Sequence, residues 1–335
     1  MNDIQKEPRT KRLILGKKLS TAKLEGELLP KTIALPIFSS DPLSSVAYGP
    51  QELLMILTLG AVGGVSTLSF TPIIASVVVM LLSIIILSYR KVIKAYPSGG
   101  GDYEVAQTNL GEKAALIVAS ALLIDYVMTV AVSIASGTDN LISAFPALDP
   151  WRVEIAVGFI LFLMAINLRG VRESGFAFAV PTYLFIASVL VMLGTGLYRM
   201  FALGEDLTAP SAHYAVHVEK QLEAAPFLLL FLLLRAFASG SAALTGVEAI
   251  ANGVPAFRTP KVKNAQITMT WMGITAITMF VGIVFFALAT GVQYIENGAL
   301  QLKGEDLALF SSGPQQSVIA QLGVAIFGNG SIMFF

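Results

Sequence analysis

Three acidic side chains lie inside long apolar stretches of the sequence, where acidic residues are rare. Asp41 follows two serines in the motif Ser39–Gly49, Asp125 lies in a second apolar run, and Glu248 lies in a third. A charged group facing lipid is costly, so acids at membrane depth typically mark cavities, ion pathways or proton relays. Carboxylate oxygens can also replace the hydration shell of a cation. The three acids therefore predict a cation-binding or proton-transfer site.

Hydroxyl groups surround the first acid. Ser44, Ser45 and Tyr48 follow Asp41 at i+3, i+4 and i+7, which places all four on one face of a helix. Pro42 lacks a backbone N–H, so we expect the helix to unwind there. Within a membrane, such a break persists only where protein or a water-filled cavity surrounds it.

The second acid begins a polar stripe. Asp125, Thr129, Ser133 and Ser136 follow one another at i, i+4, i+8 and i+11, and Tyr126 lies beside them. This spacing keeps the polar groups on one side of an apolar helix. The stripe is therefore predicted to face the interior of a helix bundle rather than lipid.

The third acid ends an apolar run that is interrupted like the first. Gly240 and Gly246 weaken the helix, and Ser241, Thr245 and Glu248 are spaced at i, i+4 and i+7. The two interrupted segments are five apolar segments apart. That distance is typical of a five-helix inverted repeat, whose binding site lies where the broken helices meet.

The composition indicates a polytopic membrane protein that must hold these groups within its helices. Of 335 residues, 55% are hydrophobic and only 13% are charged, with a mean hydropathy of +0.73. The absence of cysteine excludes disulfides and thiolate metal sites. His213 and His217 both lie in a polar loop and are interpreted as solvated residues. No cofactor and no nucleic-acid partner is expected.

Eight apolar segments follow a charged head. Residues 1–30 are predicted to form this head and residues 31–335 a transmembrane domain, whose last apolar run reaches Phe335 without a polar flank. We therefore expect the chain to be a fragment, or a truncated gene product, of a longer transporter. The segments are 31–59, 73–89, 113–136, 153–167, 176–198, 226–250, 267–290 and a final one from 316.

The basic residues predict the orientation in the membrane. With a cytoplasmic N-terminus, the inner side holds 17 lysines and arginines and the outer loops hold four. Arg235 remains within segment six, where it either pairs with Glu248, extends toward an interface or contributes to gating. This distribution follows the positive-inside rule. The loop Ser98–Gly101 follows no strand, so it predicts a tight turn rather than a phosphate-binding loop.

Several of these motifs resemble the KimA-type potassium importers of the amino acid–polyamine–organocation superfamily. The resemblance rests on Ser39–Gly49, on Tyr96–Tyr103, on Asp125–Ser133 and on Ala243–Ile250, and it extends from about Leu13 to Gly282. It implies an all-α fold of the LeuT type, with the first inverted repeat complete and the second partial. It also implies proton-coupled potassium uptake across the bacterial plasma membrane.

The resemblance further implies roles for individual residues. The residues that would line the ion path are Asp41, Tyr48, Asp125, Tyr126, Thr129, Ser133, Thr245 and Glu248. Potassium would be bound by Asp41, Asp125, Thr129 and Thr245. Because burial favours the protonated form of a carboxyl group, Glu248 and Asp125 are the candidates for proton coupling. Family members also carry a C-terminal cytosolic domain, outside this chain, that forms a homodimer and binds a cyclic dinucleotide.

Other functions are weighed against potassium transport. An amino acid or polyamine permease of the same superfamily is the main alternative. Asp41 and Asp125 would repel the carboxylate of an amino acid, which favours a cation. A membrane-embedded enzyme is disfavoured because the acids are spread over three segments without a histidine or cysteine beside them. A non-transporting sensor remains an alternative on sequence alone.

Overall fold

The computed structural model describes residues 28–61, 67–168, 171–216 and 226–329. Within these residues the regular structure is helical, apart from one isolated bridge between Leu29 and Phe257. Most of the predicted head, His217 and Phe335 lie outside the described residues. The helices are α1 (Lys31–Ala61), α2 (Thr71–Ala95), α3 (Gly101–Leu110), α4 (Glu112–Ala144), α5 (Arg152–Asn167), α6 (Val171–Leu197), α7 (Pro226–Gly240), α8 (Ala249–Asn252), α9 (Lys261–Ala289), α10 (Gly298–Gln301), α11 (Gly304–Phe310) and α12 (Val318–Phe327).

Five of the helical stretches are long and apolar enough to cross a membrane in the described part of the chain. They match predicted segments two, three, five, six and seven, and they span Thr67–Ala95, Glu112–Ala144, Phe178–Ala202, Leu229–Asn252 and Lys261–Ala289. The protein is therefore an all-helical, multi-pass membrane protein, as its composition predicts.

The predicted break at Pro42 is wrong. Helix α1 is continuous for 31 residues and contains Pro36, Pro42 and Pro50. Each proline removes a single backbone hydrogen bond, whereas unwinding in a membrane would free several groups that lipid cannot satisfy. One freed carbonyl has a substitute partner, because the Tyr183 hydroxyl of α6 donates to the Thr32 carbonyl oxygen, four residues before Pro36 (2.8 Å).

The predicted interruption in segment six is confirmed. Helix α7 ends at Gly240, a 3-10 turn covers Ser241–Leu244, and a non-helical turn at residues 245–248 precedes α8. Thr245 has an extended backbone, and Gly246 has a φ of +74°, a conformation that L side chains rarely adopt. The glycine thus allows the chain to leave the helix and turn into α8.

Helix α1 lies at the centre of the bundle. It packs against α6, α7 and α9, and its leucines at positions 53, 54 and 57 are almost completely buried. Met272 and Phe280 of the adjacent α9 are also fully buried. Apolar packing therefore holds α1 on several sides, which keeps the polar residues of its first half in a defined position.

The two ends of the bundle are held by different contacts. At one end, Leu29 N donates to Ala256 O (2.8 Å) and Arg258 N donates to Leu29 O (3.1 Å). We call this the basic end, because α2 and the loop before α9 carry lysines and arginines there. At the opposite end, the Gln51 side chain accepts from Val318 N (3.1 Å). Helix α1 is thus tied to its neighbours at both ends.

Candidate functional site

Three polar side chains of α1 form one hydrogen-bonded row. The Ser45 hydroxyl donates to the Asp41 carboxylate Oδ1 (3.3 Å) and shares a hydrogen bond with the Tyr48 hydroxyl (2.8 Å). Ser45 is fully buried and Tyr48 is nearly so. The predicted shared face is confirmed, and the continuous helix provides it without a break at Pro42. Ser45, in the centre of the row, was not among the predicted site residues.

The row meets the unwound turn before α8. The Ser45 hydroxyl also shares a hydrogen bond with the Thr245 hydroxyl (2.8 Å). A Cβ atom at Gly246 would overlap the Asp41 carboxylate, so only glycine allows Asp41 to lie against the backbone there. Asp41 and Thr245, predicted from separate segments, are therefore brought together.

Glu248 lies at the end of the same turn. Only 7% of the residue is exposed, and its Oε1 atom has no hydrogen-bond partner among the described residues. The carboxylates of Asp41 and Asp125 are close enough to repel it. An unpartnered buried oxygen among acids is costly, and a bound proton or cation would relieve that cost.

The polar stripe of α4 faces the bundle, as predicted. Thr129 is buried and Asp125 and Ser133 are half-buried, whereas Val127 and Val130 between them are 69% and 52% exposed. Asp125 is close enough to Asp41 for their carboxylates to interact electrostatically. The stripe thus supplies a third wall, although no described hydrogen bond joins Ser133 to the acids.

The partly exposed side chain of Tyr126 lies on the side of the cluster toward the basic end. Its hydroxyl interacts electrostatically with Glu248 and accepts a hydrogen bond from the Asn252 side-chain amide (3.0 Å). Asn252 was not predicted, although its position four residues after Glu248 places both on one helical face. The predicted alternative of an Arg235–Glu248 pair is not observed, since Arg235 is exposed and no ion pair joins the two in the described structure.

The arrangement suits a cation held by oxygen atoms alone. Within the described residues, no group of three His, Cys, Asp or Glu side chains is arranged to hold a metal ion. The oxygens near Asp41 instead belong to the hydroxyls of Ser45 and Thr245 and to the backbone of the turn. Such a mixed set of weak oxygen ligands is typical of monovalent-ion sites in transporters.

A family model described as "Amino acid permease" matches residues 39–333 of the chain. The match covers all eight predicted site residues, from Asp41 to Glu248.

Three curated proteins illustrate the range of relatives. The chain is 40% identical to the potassium transporter KimA of Bacillus subtilis over 322 residues, which cover 95% of the chain and 48% of KimA. It is 25% identical to the low-affinity putrescine importer PlaP of Escherichia coli over 45% of the chain and 33% of PlaP. It is also 25% identical to the probable potassium transport system protein Kup of Bordetella avium, over 60% of the chain and 28% of Kup. The chain thus spans less than half the length of these relatives.

Proposed function

The chain belongs to the amino acid permease family, and we propose from that premise that it carries out proton-coupled potassium uptake across the bacterial plasma membrane. Two of its relatives are named as potassium transport proteins, and the one with 40% identity aligns with almost the whole chain. The matched family and relatives are transporters, which supports a transport role rather than an enzymatic one.

The observation that carries this proposal is the buried carboxylate of Glu248, whose Oε1 atom has no hydrogen-bond partner among the described residues, beside the contact of Asp41 with the turn at residues 245–248. Potassium would be bound by oxygens of Asp41, Asp125, Thr129 and Thr245, with Tyr48, Tyr126 and Ser133 lining its path. Glu248 would carry the coupled proton, because a neutral acid there removes the repulsion from its neighbours. No resident cofactor is needed for this coupled uptake of potassium and a proton.

The contact between α1 and the unwound turn favours a small ion over a larger substrate. Asp41 lies directly against Gly246, and Ser45 is hydrogen-bonded to Thr245, so side chains fill the space between the two elements. An amino acid or polyamine would have to separate them. A polyamine permease remains the second candidate, because the relative PlaP is named a putrescine importer and acids also attract amines.

The orientation follows from the basic end. We propose that this end faces the cytoplasm, together with the N-terminus and the head at 1–30, because lysines and arginines concentrate there. The lipid bilayer then surrounds the exposed apolar faces of α4, α5 and α6. A homodimer through a C-terminal cytosolic domain outside this chain stays a prediction.

Potassium-limited growth tests the ion path. A bacterium that lacks its own potassium uptake systems is expected to grow when it expresses the protein, and the Asp125→Asn variant is expected to abolish growth. Asp149→Asn is the matched control, since Asp149 is a half-buried acid outside the cluster that pairs with Arg152. Growth with Asp125→Asn equal to wild type would show that the proposed path is wrong.

Uptake competition separates potassium from the alternative substrates. Radiolabelled rubidium uptake into proteoliposomes is expected to be inhibited by potassium and to be unaffected by lysine or putrescine. Inhibition by putrescine, with labelled putrescine accumulating inside, would instead identify a polyamine permease. The absence of flux of any of these substrates would favour a sensor.

A further inference from the structure

Asn252 connects three elements at the basic end of the site. It is the last residue of α8, and its side-chain amide donates to the Tyr126 hydroxyl of α4 (3.0 Å). Its backbone N–H donates to the carbonyl of Glu248 (3.0 Å). The third element is the glycine loop between α2 and α3, residues 99–101.

The glycine loop lies directly on Asn252. A Cβ atom at Gly101 would overlap the Asn252 side-chain oxygen, and one at Gly99 would lie 2.7 Å from the Asn252 backbone oxygen. All three glycines have positive φ values, of +84°, +92° and +47°. The predicted tight turn is confirmed. The glycines adopt the positive φ values that the turn needs, and their lack of side chains also allows the loop to lie against Asn252.

The contacts of Asn252 separate Glu248 from the basic end. Side chains four residues apart lie one above the other on a helix, so Asn252 lies one turn beyond Glu248 toward that end. Tyr126 faces both residues. The contact between Asn252 and Tyr126 therefore lies between Glu248 and the basic end.

We propose that Asn252 is a positioning residue that closes the basic end of the site, by holding Tyr126 on one side and the glycine loop on the other. The closure depends on one neutral hydrogen bond and on packing against glycine, not on an ion pair, so it can open at small cost. This proposal rests on the proposed function in one respect, which is the identity of the ion or proton that passes the closure. Its test does not depend on which substrate moves.

Thiol labelling measures the closure directly, because the chain contains no cysteine of its own. A single cysteine replaces Thr129, which is buried beside the acids, and a membrane-impermeant thiol reagent is applied to each side of reconstituted vesicles. A cysteine at the exposed Lys263 identifies the side on which the basic end lies. Asn252→Ala is expected to raise the labelling rate from that side about tenfold.

A matched control distinguishes gating from general loosening. Asn264 lies at the same end and donates its side-chain amide to the Arg258 carbonyl (2.8 Å), so Asn264→Ala removes a similar bond outside the closure. It is expected to change the labelling rate by no more than about twofold. Equal rates for the two variants, or an equal rise from both sides of the membrane, would overturn the proposal.

A second variant removes the same bond from its other partner. Tyr126→Phe keeps the ring and loses the hydroxyl, and it is expected to raise labelling from the basic end as Asn252→Ala does. Adding Tyr126→Phe to Asn252→Ala should change the labelling rate little, because the bond between the two side chains is already absent. Fully additive effects would contradict the proposal. If the wild-type protein takes up no rubidium while these labelling results hold, the proposed function fails and the closure stands.

Discussion

Helix α1 and the turn between α7 and α8 carry similar sequence signals but differ in structure. Both are apolar runs interrupted by small and polar residues around an acid, and both are predicted to unwind. Helix α1 continues through three prolines, whereas the other segment leaves the helix for residues 245–248. The two meet where Asp41 lies against Gly246. One partner thus contributes side chains from an intact helix, and the other contributes the non-helical backbone of a buried turn.

The difference shows which local signal ends a membrane helix here. Proline removes one hydrogen bond, and a neighbouring group can replace it, as the Tyr183 hydroxyl does at the Thr32 carbonyl. Gly246 combines a left-handed backbone with the close approach of Asp41, which no other residue permits. In this molecule the chain unwinds at Gly246, where the backbone contacts Asp41, and it does not unwind at Pro42.

The largest expected effect is that of Gly246→Ala, which would remove the distinctive geometry of the turn. Alanine would be strained at a φ of +74°, and its Cβ would overlap the Asp41 carboxylate. We expect a loss of about 3 kcal/mol in the free energy of unfolding and no measurable rubidium uptake. Thermal unfolding in detergent and uptake into proteoliposomes measure the two quantities.

Gly194→Ala is the control for that substitution. Gly194 lies within α6, and no atom would come within 4 Å of an added Cβ. Its stability and uptake are expected to match wild type. If Gly246→Ala behaves in the same way, the turn does not need glycine and the contrast between the two segments fails.

A smaller effect is expected from the hydrogen bond that joins the two segments. Ser45→Ala and Thr245→Val each remove one hydroxyl of the pair, and Ser45→Ala also removes the partner of Tyr48. A double-mutant cycle measured by unfolding should give a coupling of about 0.6 kcal/mol, a typical value within membranes. In the described structure the Thr268 hydroxyl donates to the Asn264 carbonyl of its own helix (3.0 Å), so pairing Ser45→Ala with Thr268→Val should give no coupling. A coupling near zero between Ser45 and Thr245 would mean that the segments do not depend on each other.

The smallest effect is expected from Pro42→Ala. Because α1 is already helical at this position, alanine restores one N–H and should change the free energy of unfolding by less than about 1 kcal/mol. Rubidium uptake should remain close to wild type. A folded Pro42→Ala variant that no longer transports would show that α1 must unwind there during the cycle, which would make the two segments alike.

Much of the site follows from periodicity alone. The spacing of Asp41 and Tyr48 fixes a common face whether or not the helix is interrupted, and the stripe from Asp125 to Ser133 avoids lipid because polar groups there are costly. The unwound turn was predicted from Gly240 and Gly246. These inferences depend on local backbone preferences and on the cost of placing polar groups in lipid. Both can be read from the residue types and their spacing.

The remaining features depend on contacts between distant parts of the chain. The bond that satisfies the carbonyl freed by Pro36 could not be predicted, because Tyr183 lies about 150 residues away from Thr32 in the sequence. The role of Asn252 depends on the glycine loop and on Tyr126, each far away in sequence. An asparagine at a helix end is otherwise an ordinary capping residue, so nothing local distinguishes it.

The uninterrupted length of α1 has a mechanical consequence. Thirty-one residues at 1.5 Å each make a rod of about 46 Å, and Ser45 lies close to its midpoint. If the rod tilts as one body about its bond to Thr245, its two ends swing in opposite directions. A tilt of about 10° would displace each end by about 4 Å. Such a tilt would move the two ends of α1 in opposite directions relative to the neighbouring helices, without any change in the helix itself.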